Sequence, residues 1–252
     1  MSDKPLASRI ALVTGASRGI GYHTALALAR AGAHVVAVAR TVGGLEELDD
    51  AIRAQGADSS GSATLVPLDV KDSDGIDRLA AAIKDRYGKL DALVGNAGII
   101  GGGLSPLDHT PPKDWDDIIA VNVTANWRFI RAFSDLLKAS DAGRAVFISS
   151  GLAHNARAYW GAYAVSKAAL EMLARMFAAE TASTRVKVNV LGPGPIGTRM
   201  LKTAMPGLDF STVDPPEKVA PAVVALCLPS MTESGRYYDL RAGKFMDFQR
   251  PA

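Results

Sequence analysis

The stretch IALVTGASRGIG, residues 10–21, joins an apolar run, a glycine-rich turn and the start of a helical pattern. The run predicts a buried strand over Ile10–Thr14, and the pattern after the turn predicts a helix that continues to Ala31 and ends at Gly32. Such a glycine turn lets backbone N–H groups approach a pyrophosphate, whose charge the helix N-terminus favours. The spacing is G-x-x-x-G-x-G rather than G-x-G-x-x-G, so a tight structural turn is an alternative interpretation.

From Arg9 onward, short β-branched apolar runs alternate with longer helical patterns, which is typical of βαβ units on a parallel sheet. We therefore predict one α/β domain. The further predicted strands are His34–Ala39, Thr64–Leu68, Leu90–Val94, Ala145–Ser149 and Val186–Leu191. The further predicted helices include Ser73–Tyr87, Asp114–Ala139 and Ala158–Thr181.

The composition restricts the class of protein. The 252 residues include 28 basic and 26 acidic side chains, for a formal net charge of +2, and no run of like charges indicates a nucleic-acid or membrane surface. The one cysteine, Cys227, lies in an apolar run, so an internal disulfide and a cysteine-rich metal site are excluded, and we predict no metal. The chain start lacks the apolar core of a signal peptide and no run could span a bilayer, so we expect a cytoplasmic protein.

The end of the second predicted strand carries Ala39, Arg40 and Thr41. Many dinucleotide-binding folds have an acid here that accepts hydrogen bonds from the adenosine 2′-hydroxyl, whereas an arginine accommodates a 2′-phosphate. Arg18 in the glycine turn would lie on the same side, and two guanidinium groups match a phosphate of nearly two negative charges. The alternative is that Arg40 is a solvated loop residue.

Three other segments follow predicted strands. The Asp69 carboxylate, next to Val70, is placed to accept a hydrogen bond from an adenine amino group, and a helix cap is the competing interpretation. The sequence GNAG, residues 95–98, has side chains small enough for cofactor contact. The sequence GPGPIGT, residues 192–198, predicts a turn shaped over a ligand rather than a helix start.

Tyr163 and Lys167 lie four positions apart in a strongly helical run and share one helix face. An adjacent positive charge favours the phenolate and would lower the pKa of Tyr163 from its usual value of about 10. Tyr163 could then exchange a proton with a carbonyl or alcohol oxygen. An ordinary amphipathic helix face would show the same spacing.

Two more polar residues are candidates for the same site. Asn122 lies near the middle of a predicted helix, where asparagine is mildly unfavourable, and this favours a functional role such as a helix bulge that holds a water. Ser150 follows the fifth predicted strand and precedes Tyr163 by thirteen positions.

Taken in order, these motifs resemble the short-chain dehydrogenase/reductase superfamily from about Ile10 to Asp239. The pattern T-G-x-x-x-G-x-G corresponds to residues 14–21, N-A-G to 96–98, and the P-G-x-x-x-T segment that faces the nicotinamide to 193–198. The resemblance implies a single Rossmann-like domain over residues 1–252. Its doubly wound sheet would have about seven mostly parallel strands, with helices on both faces.

The catalytic tetrad of that family falls on Asn122, Ser150, Tyr163 and Lys167. By resemblance, Ser150 positions the substrate oxygen and Tyr163 gives or takes the proton. Lys167 binds the nicotinamide ribose and, together with the charge of the oxidised nicotinamide ring, lowers the pKa of Tyr163. Asn122 holds a water that links Lys167 to solvent. The implied cofactor-binding residues are Gly15, Ser17, Arg18, Gly19, Ile20, Gly21, Arg40, Thr41, Asp69, Val70, Asn96, Ala97, Gly98, Tyr163, Lys167, Pro193, Gly194, Ile196 and Thr198.

The implied activity is hydride transfer between nicotinamide C4 and a small-molecule carbonyl or secondary alcohol. The Arg18 and Arg40 pair is similar to members that prefer NADP(H), so NAD(H) is the less favoured cofactor. A non-catalytic NADPH-binding redox-sensing scaffold is an alternative, as is an epimerase or dehydratase on the same fold. Apolar positions on more than one face of the long helices predict a homodimer or homotetramer.

The sequence departs from the family pattern at two places. Gly95 stands where the family often has a second asparagine. The sequence GRYYDLR, residues 235–241, lacks the usual glycines after the last aspartate, so the choice between dimer and tetramer is open.

Substrate specificity is expected from two segments of mostly apolar character, which suggest a substrate with a hydrophobic body. Their residues are Leu152, His154, Trp160, Met200, Met205 and Phe210.

Overall fold

The computed structural model describes residues 4–55 and 61–248. Eight strands form one sheet in the order β3-β2-β1-β4-β5-β6-β7-β8. All neighbouring pairs are parallel except β7 and β8, which are antiparallel. The strands are β1 Ile10–Thr14, β2 His34–Ala39, β3 Ser62–Pro67, β4 Ala92–Gly95, β5 Arg144–Ile148, β6 Lys187–Gly192, β7 Arg236–Asp239 and β8 Lys244–Met246.

Helices cover both faces of this sheet. They are α1 Gly19–Arg30, α2 Val42–Ala54, α3 Ser73–Tyr87, α4 Pro112–Ile119, α5 Ala125–Ala139, α6 Gly161–Glu180, α7 Arg199–Ala204 and α8 Ala220–Cys227. One buried apolar cluster joins α3, α5 and α6 to the sheet, and a second joins α1, α2 and α8 to its other face. The central strands are buried on both sides, which explains their nearly continuous apolar sequences. The predicted α/β class and doubly wound topology are confirmed.

The element ends agree with the sequence where a local signal marks them. β1, β2 and α3 have the predicted bounds. Gly32 follows α1 with φ of 100° and donates to the carbonyl of Ala29, while Ala33 donates to that of Leu28, a paired arrangement that closes the helix end. Helix α6 begins at Gly161 rather than at Ala158, because Tyr159 has φ of 73° and cannot be helical.

Strand ends without such a signal were predicted less well. β3 begins two residues earlier than predicted and β4 two residues later. β5 and β6 are each displaced by one residue, and β8 adds an eighth strand to the expected seven or so. Pairing with a neighbouring strand decides these ends, and the apolar pattern of one strand does not contain that information.

The predicted helix Asp114–Ala139 is interrupted. Helix α4 begins at Pro112, with Pro111 as its N-cap residue, and residues 120–124 form one π-helical turn before α5. Asn122 lies in this turn, so the prediction of a bulge at Asn122 is confirmed although the continuous helix was wrong. Such turns are common at functional sites.

A buried carboxylate joins the amino ends of β1 and β4. Asp91 accepts hydrogen bonds from the Ile10 amide at 2.8 Å, the Ser140 hydroxyl at 2.6 Å and the Arg9 guanidinium at 2.9 Å. The Lys89 ammonium contacts the same carboxylate at 3.0 Å. Although burial opposes ionisation, these partners hold the pKa of Asp91 below its ordinary value. This cluster lies at the end of the sheet opposite the carboxyl ends of the strands.

None of the helices in the described part of the chain combines the length and apolar character that a membrane span requires.

Candidate active site

A cavity of about 1150 Å³ opens at the carboxyl ends of the parallel strands. It lies where the strand order reverses between β1 and β4, which is the position at which open α/β sheets bind ligands. Nearly all the site residues predicted from sequence line it. They are Gly15, Ser17, Arg18, Gly19, Ile20, Arg40, Thr41, Asp69, Val70, Asn96, Ala97, Gly98, Ser150, Tyr163, Lys167, Pro193, Gly194, Ile196 and Thr198. Gly21 and Asn122 do not line it, but each contacts a residue that does, Gly15 and Ile99 respectively.

The glycine turn is built for close approach of backbone to a ligand. Gly15 has φ of 67°, a conformation that favours glycine. A side chain at Gly21 would place its Cβ 2.2 Å from the Gly15 carbonyl oxygen, so Gly21 is needed to close the turn rather than to touch a ligand. The side chain of Arg18, the N-cap residue of α1, does not bond the helix end, so the first N–H groups of α1 have no side-chain cap. Gly19 and Ile20, the first residues of α1, line the cavity.

Thr14 is a structural partner of the turn that the sequence reasoning overlooked. Its hydroxyl accepts hydrogen bonds of 3.0 Å from the amides of Asn96 and Ala97, and the Asn96 side chain donates to the Thr14 carbonyl at 2.9 Å. The Thr14 hydroxyl therefore joins the carboxyl end of β1 to the segment that follows β4. A threonine at the end of an apolar strand, immediately before the glycine turn, was the signal available in the sequence.

Gly95 is explained by packing. A Cβ at this position would lie 2.4 Å from Oδ1 of Asn126 and 2.5 Å from Cδ1 of Phe147. The side chain of Asn126 thus occupies the space beside β4, and only glycine leaves room for it. The Asn126 amide donates to the Asn122 carbonyl at 2.8 Å.

Two exposed arginines, Arg18 and Arg40, line the cavity. Their joint binding of an anionic group stays a prediction. Arg40 approaches Asp69 at 3.9 Å, a loose contact between two exposed side chains. Asp69 accepts from the Lys71 amide at 2.9 Å, while Asp72 caps α3 by accepting from Gly75. The helix-cap interpretation of Asp69 is therefore wrong, because the cap falls three residues later.

Ser150, Tyr163 and Lys167 meet on another wall of the cavity. The Ser150 side chain lies near enough to the Tyr163 hydroxyl to favour a lower pKa of that group. The Lys167 ammonium lies 5.6 Å from the centre of the Tyr163 ring and donates to the Ile148 carbonyl at 2.8 Å. Lys167 is only 4% exposed. The shared helix face therefore does bring the phenol and the ammonium together.

The pKa of Tyr163 moves opposite to the predicted direction. Surrounding protein disfavours the phenolate and raises the pKa of Tyr163 to about 12, and the contact with Ser150 only partly opposes this. Burial also lowers the pKa of Lys167 to about 8, against a smaller opposing effect of Glu171. In this structure the Lys167 ammonium is directed to Ile148 and its own charge is disfavoured by burial. The lowering of the Tyr163 pKa by Lys167 together with an oxidised nicotinamide stays a prediction.

Asn122 fixes the segment that follows β4. Its amide oxygen accepts from the Ile99 N–H at 2.8 Å, and its amide nitrogen donates to the Ile99 carbonyl and the Ser166 hydroxyl, both at 2.9 Å. A Cβ on Gly98 would lie 3.4 Å from Oδ1 of Asn122 and 3.6 Å from the Lys167 ammonium. Asn122 is therefore close to Lys167, although its side chain is committed to protein partners.

One part of the cavity is apolar, where Leu152, Trp160, Met200 and Met205 line it as expected. Asn155, Arg157, Arg199 and Arg241 also line the cavity and were not predicted. His154 and Phe210 are not among the residues that line this cavity in the described chain. His154 instead contacts Glu171 at 2.9 Å.

Thr198 has a second role besides lining the cavity. Its hydroxyl accepts from the Leu201 amide at 3.3 Å and caps α7, so the glycine-proline segment does lead into a helix. A Cβ on Gly19 would lie 3.5 Å from Cγ2 of Thr198, which places this cap opposite the start of α1.

The fold and the position of the cavity define a Rossmann-type α/β protein. The family model for short chain dehydrogenases matches residues 9–208, and the chain belongs to this family of oxidoreductases. It is 36% identical over 245 residues to YciK of Escherichia coli K12, named as an uncharacterized oxidoreductase, with 95% of this chain and 94% of YciK covered.

Two solved structures show how closely the architecture is shared. A short chain dehydrogenase of Shigella flexneri complexed with NADP has a TM-score of 0.89 and 33% identity, with 95% of this chain and 100% of that chain covered. One from Escherichia coli CFT073 complexed with NADPH has a TM-score of 0.87 and 34% identity, with 96% and 100% covered.

Proposed function

We propose that this protein is an NADP(H)-dependent oxidoreductase that transfers hydride between nicotinamide C4 and a carbonyl or secondary alcohol. The main support for the proposal is that Ser150, Tyr163 and Lys167 line the same cavity as the glycine turn. The reacting group of a substrate and a dinucleotide would therefore share one space.

The residues present fit an NADP cofactor. The turn at Gly15 and Gly21 leaves no room for a Cβ, which suits a backbone that approaches a pyrophosphate. Arg18 and Arg40 would hold the 2′-phosphate, and Asp69 would accept from the adenine amino group. The NADP and NADPH complexes of the two similar structures support this choice over NAD(H).

The bound nicotinamide supplies or accepts the hydride. In reduction, the Tyr163 hydroxyl donates its proton to the carbonyl oxygen as hydride reaches the carbon, and the product is an alcohol. Ser150 donates a hydrogen bond to the same oxygen and holds it beside the phenol. Since the pKa of Tyr163 is about 12, the phenol keeps its proton at neutral pH and is prepared to act as the acid.

The apolar part of the cavity supports a substrate with a hydrophobic body. Trp160 and Ile100 are buried there, and Leu152, Met200 and Met205 pack against them. This wall borders Tyr163, so the carbonyl would sit at the junction of the polar and apolar surfaces.

The test is a screen for oxidation of NADPH by wild-type protein. Aromatic aldehydes, cyclic ketones, 1,2-diketones and 3-oxo esters are presented one at a time, and loss of the reduced-nicotinamide absorbance is recorded. We expect at least one carbonyl class to be reduced. NADPH binding without turnover of any class would favour the non-catalytic scaffold instead.

We further propose a homo-oligomer formed through the outer faces of α5 and α6. Val165, Met172 and Met176 recur on one face of α6 and are 44%, 50% and 52% exposed, and Trp127 on α5 is 48% exposed. Large apolar side chains at this density favour burial against a second copy, and closed symmetry makes the contact reciprocal.

A further inference from the structure

Glu171 is a buried carboxylate that the proposed chemistry does not use. It lies on α6 and is 4% exposed. Its Oε1 accepts a hydrogen bond of 2.6 Å from the Ser149 hydroxyl, and its Oε2 lies 2.9 Å from Nε2 of His154. The two contacts reach the chain on either side of Ser150. One acidic side chain therefore spans the segment that carries the predicted substrate-positioning hydroxyl.

The same helix carries the other reacting groups. Tyr163, Lys167 and Glu171 are spaced by four residues each and share one helix face. Lys167 contacts the Ile148 carbonyl at 2.8 Å, so α6 is tied to the end of β5 by that bond and by the bond from Ser149 to Glu171. The geometry between Ser150 and Tyr163 depends on these ties, because the two residues come from different elements.

Burial of the Glu171 carboxylate is energetically unfavourable. Burial raises the pKa of Glu171 to about 7, and contacts with Ser149, Lys167 and Arg175 only partly compensate. The His154 ring is held edge-on against Tyr237, with centroids 5.1 Å apart and planes at 88°, and also packs near Phe248. The ring that contacts Glu171 is thus fixed from the opposite side as well.

The backbone hydrogen bonds within the turn that follows Ser150 are local. The Ala153 amide donates to the Ser150 carbonyl at 2.9 Å, and the His154 and Asn155 amides donate to the Gly151 carbonyl at 3.2 and 3.1 Å. These are local turn bonds, which hold the shape of the turn but not its position against α6. The Ser149 amide also donates to the Leu191 carbonyl at 2.8 Å, which ties the start of the turn to β6. Glu171 adds side-chain contacts from α6 at both ends of the turn.

We propose that Glu171 is a positioning residue, which sets the distance between the Ser150 hydroxyl and the Tyr163 phenol by holding Ser149 and His154 against α6. The proposal rests on the proposed function, since it assigns Glu171 a part in that reaction. Glutamine can reproduce both contacts, because its oxygen accepts from Ser149 and its amide donates to a neutral imidazole. The matching geometry predicts that Glu171→Gln is tolerated and Glu171→Ala is not.

Hydrogen exchange of the Ser150 turn tests the contact without any substrate. Exchange of peptides covering residues 149–155 is compared in wild type, Glu171→Ala, Glu171→Gln and His154→Ala. Glu180→Ala, an exposed change on the same helix, is the control. We expect exchange in Glu171→Ala to be faster by roughly tenfold or more, since two contacts of a buried carboxyl group are lost. Glu171→Gln and the control should resemble wild type.

Faster exchange across the whole protein, including residues 10–30, would mean that Glu171→Ala is destabilised throughout. In that case the exposed His154→Ala variant decides, because it releases one end of the turn and leaves the buried carboxylate bonded to Ser149. Acceleration confined to residues 149–155 supports the proposal. Unchanged exchange in His154→Ala, or in a well-folded Glu171→Ala, overturns it.

Kinetics then separate positioning from a purely structural role. The probes are NADPH, NADPH deuterated at the transferred position, and a carbonyl reduced in the screen. We expect Glu171→Ala to lower kcat by roughly tenfold or more with NADPH affinity within about twofold, and to raise the deuterium isotope effect as chemistry becomes slower. A fall in kcat with an unchanged isotope effect would indicate loss of folded enzyme and overturn the proposal. If wild type reduces no carbonyl, the proposed function fails while the exchange result still decides whether the contact exists.

Discussion

The Lys167 ammonium donates a 2.8 Å hydrogen bond to the carbonyl of Ile148 rather than to the phenol of Tyr163 four residues before it. The charge that would assist Tyr163 is thereby anchored to the end of β5, next to Ser150. Because Lys167 is buried, the pKa of its ammonium falls to about 8, close to physiological pH. The charge of this site is therefore expected to change within an accessible pH range.

Affinity for NADPH should depend on the charge of Lys167. We expect the Kd to rise as pH increases through about 8, because the ammonium that would bind the nicotinamide ribose loses its proton there. Fluorescence titration of NADPH between pH 6.5 and about 9.5 measures this dependence. Lys167→Ala should bind more weakly at low pH and lose the dependence. A flat wild-type profile would show that Lys167 does not bind the cofactor as a cation.

Replacement of Tyr163 by phenylalanine should abolish reduction and leave NADPH affinity nearly unchanged. The ring still packs against Trp160, but the transferable proton is gone, and loss of general acid catalysis costs at least about 10²-fold in rate. Single-turnover rates and NADPH titrations measure the two effects. Tyr159→Phe, at an exposed position four residues earlier, is the matched control. Turnover of Tyr163→Phe near the wild-type rate would require a different acid.

Arg40 should discriminate between the two cofactors. A charge-assisted contact contributes roughly 1.5–3 kcal/mol, or about ten- to a hundredfold in affinity, so Arg40→Ala should weaken NADPH by at least about tenfold and leave NADH almost unchanged. Ala39→Asp should repel the phosphate and begin to favour NADH. Both cofactors are titrated at fixed low salt, since screening would mask an exposed site.

The control for Arg40 is Arg53→Ala, an exposed arginine on α2 that pairs with Asp49 and does not line the cavity. Equal weakening of both cofactors by Arg40→Ala would show that the side chain does not contact a 2′-phosphate. Equal affinity of the wild type for NADH and NADPH would refute the cofactor assignment itself.

Asp91 should support stability in a pH-dependent way. Removal of one partner from a buried ion pair costs about 3–5 kcal/mol, and the partial exposure of Arg9 and Lys89 places Asp91→Asn near the lower value. Since the pKa of Asp91 is lowered in the folded state, its contribution is present above the unfolded value of 3.8 and is lost as pH falls through the folded value. Urea unfolding of wild type and Asp91→Asn at pH 7 and at about pH 3 measures the contribution of Asp91 to stability and its loss in acid. The gap between wild type and variant should narrow in acid, whereas Asp50→Asn, at an exposed position, should match wild type at both pH values.

Charges placed on the outer face of α6 should separate the subunits. We expect wild type to scatter light as a dimer or tetramer at micromolar concentration, and Met172→Glu with Met176→Glu to scatter as a monomer or dimer, because an apolar contact would have to bury two carboxylates. Glu47→Gln, at an exposed position on α2, is the control for surface changes elsewhere. A monomeric wild type would contradict the proposed interface.

The sequence by itself determined the fold class and most of the cavity wall. The strand, glycine turn and helix of residues 10–30 follow from local chemistry: an apolar run, glycines where φ is positive or a Cβ would clash, and a helix end at Gly32. The residues predicted from strand ends converge because parallel strands end at one edge of a sheet. The same local signals placed Tyr163 and Lys167 on one helix face, since spacing along a helix is fixed.

The tertiary structure alone decided the charge states and the contacts between distant segments. Whether Lys167 lowers the pKa of Tyr163 depends on burial and on the direction of the ammonium, and neither is contained in a four-residue spacing. His154 was named as a residue that could contribute to substrate specificity, and the structure shows that it contacts Glu171, seventeen residues later. Burial and hydrogen-bond geometry arise only when separate elements pack, and local sequence patterns therefore cannot specify them.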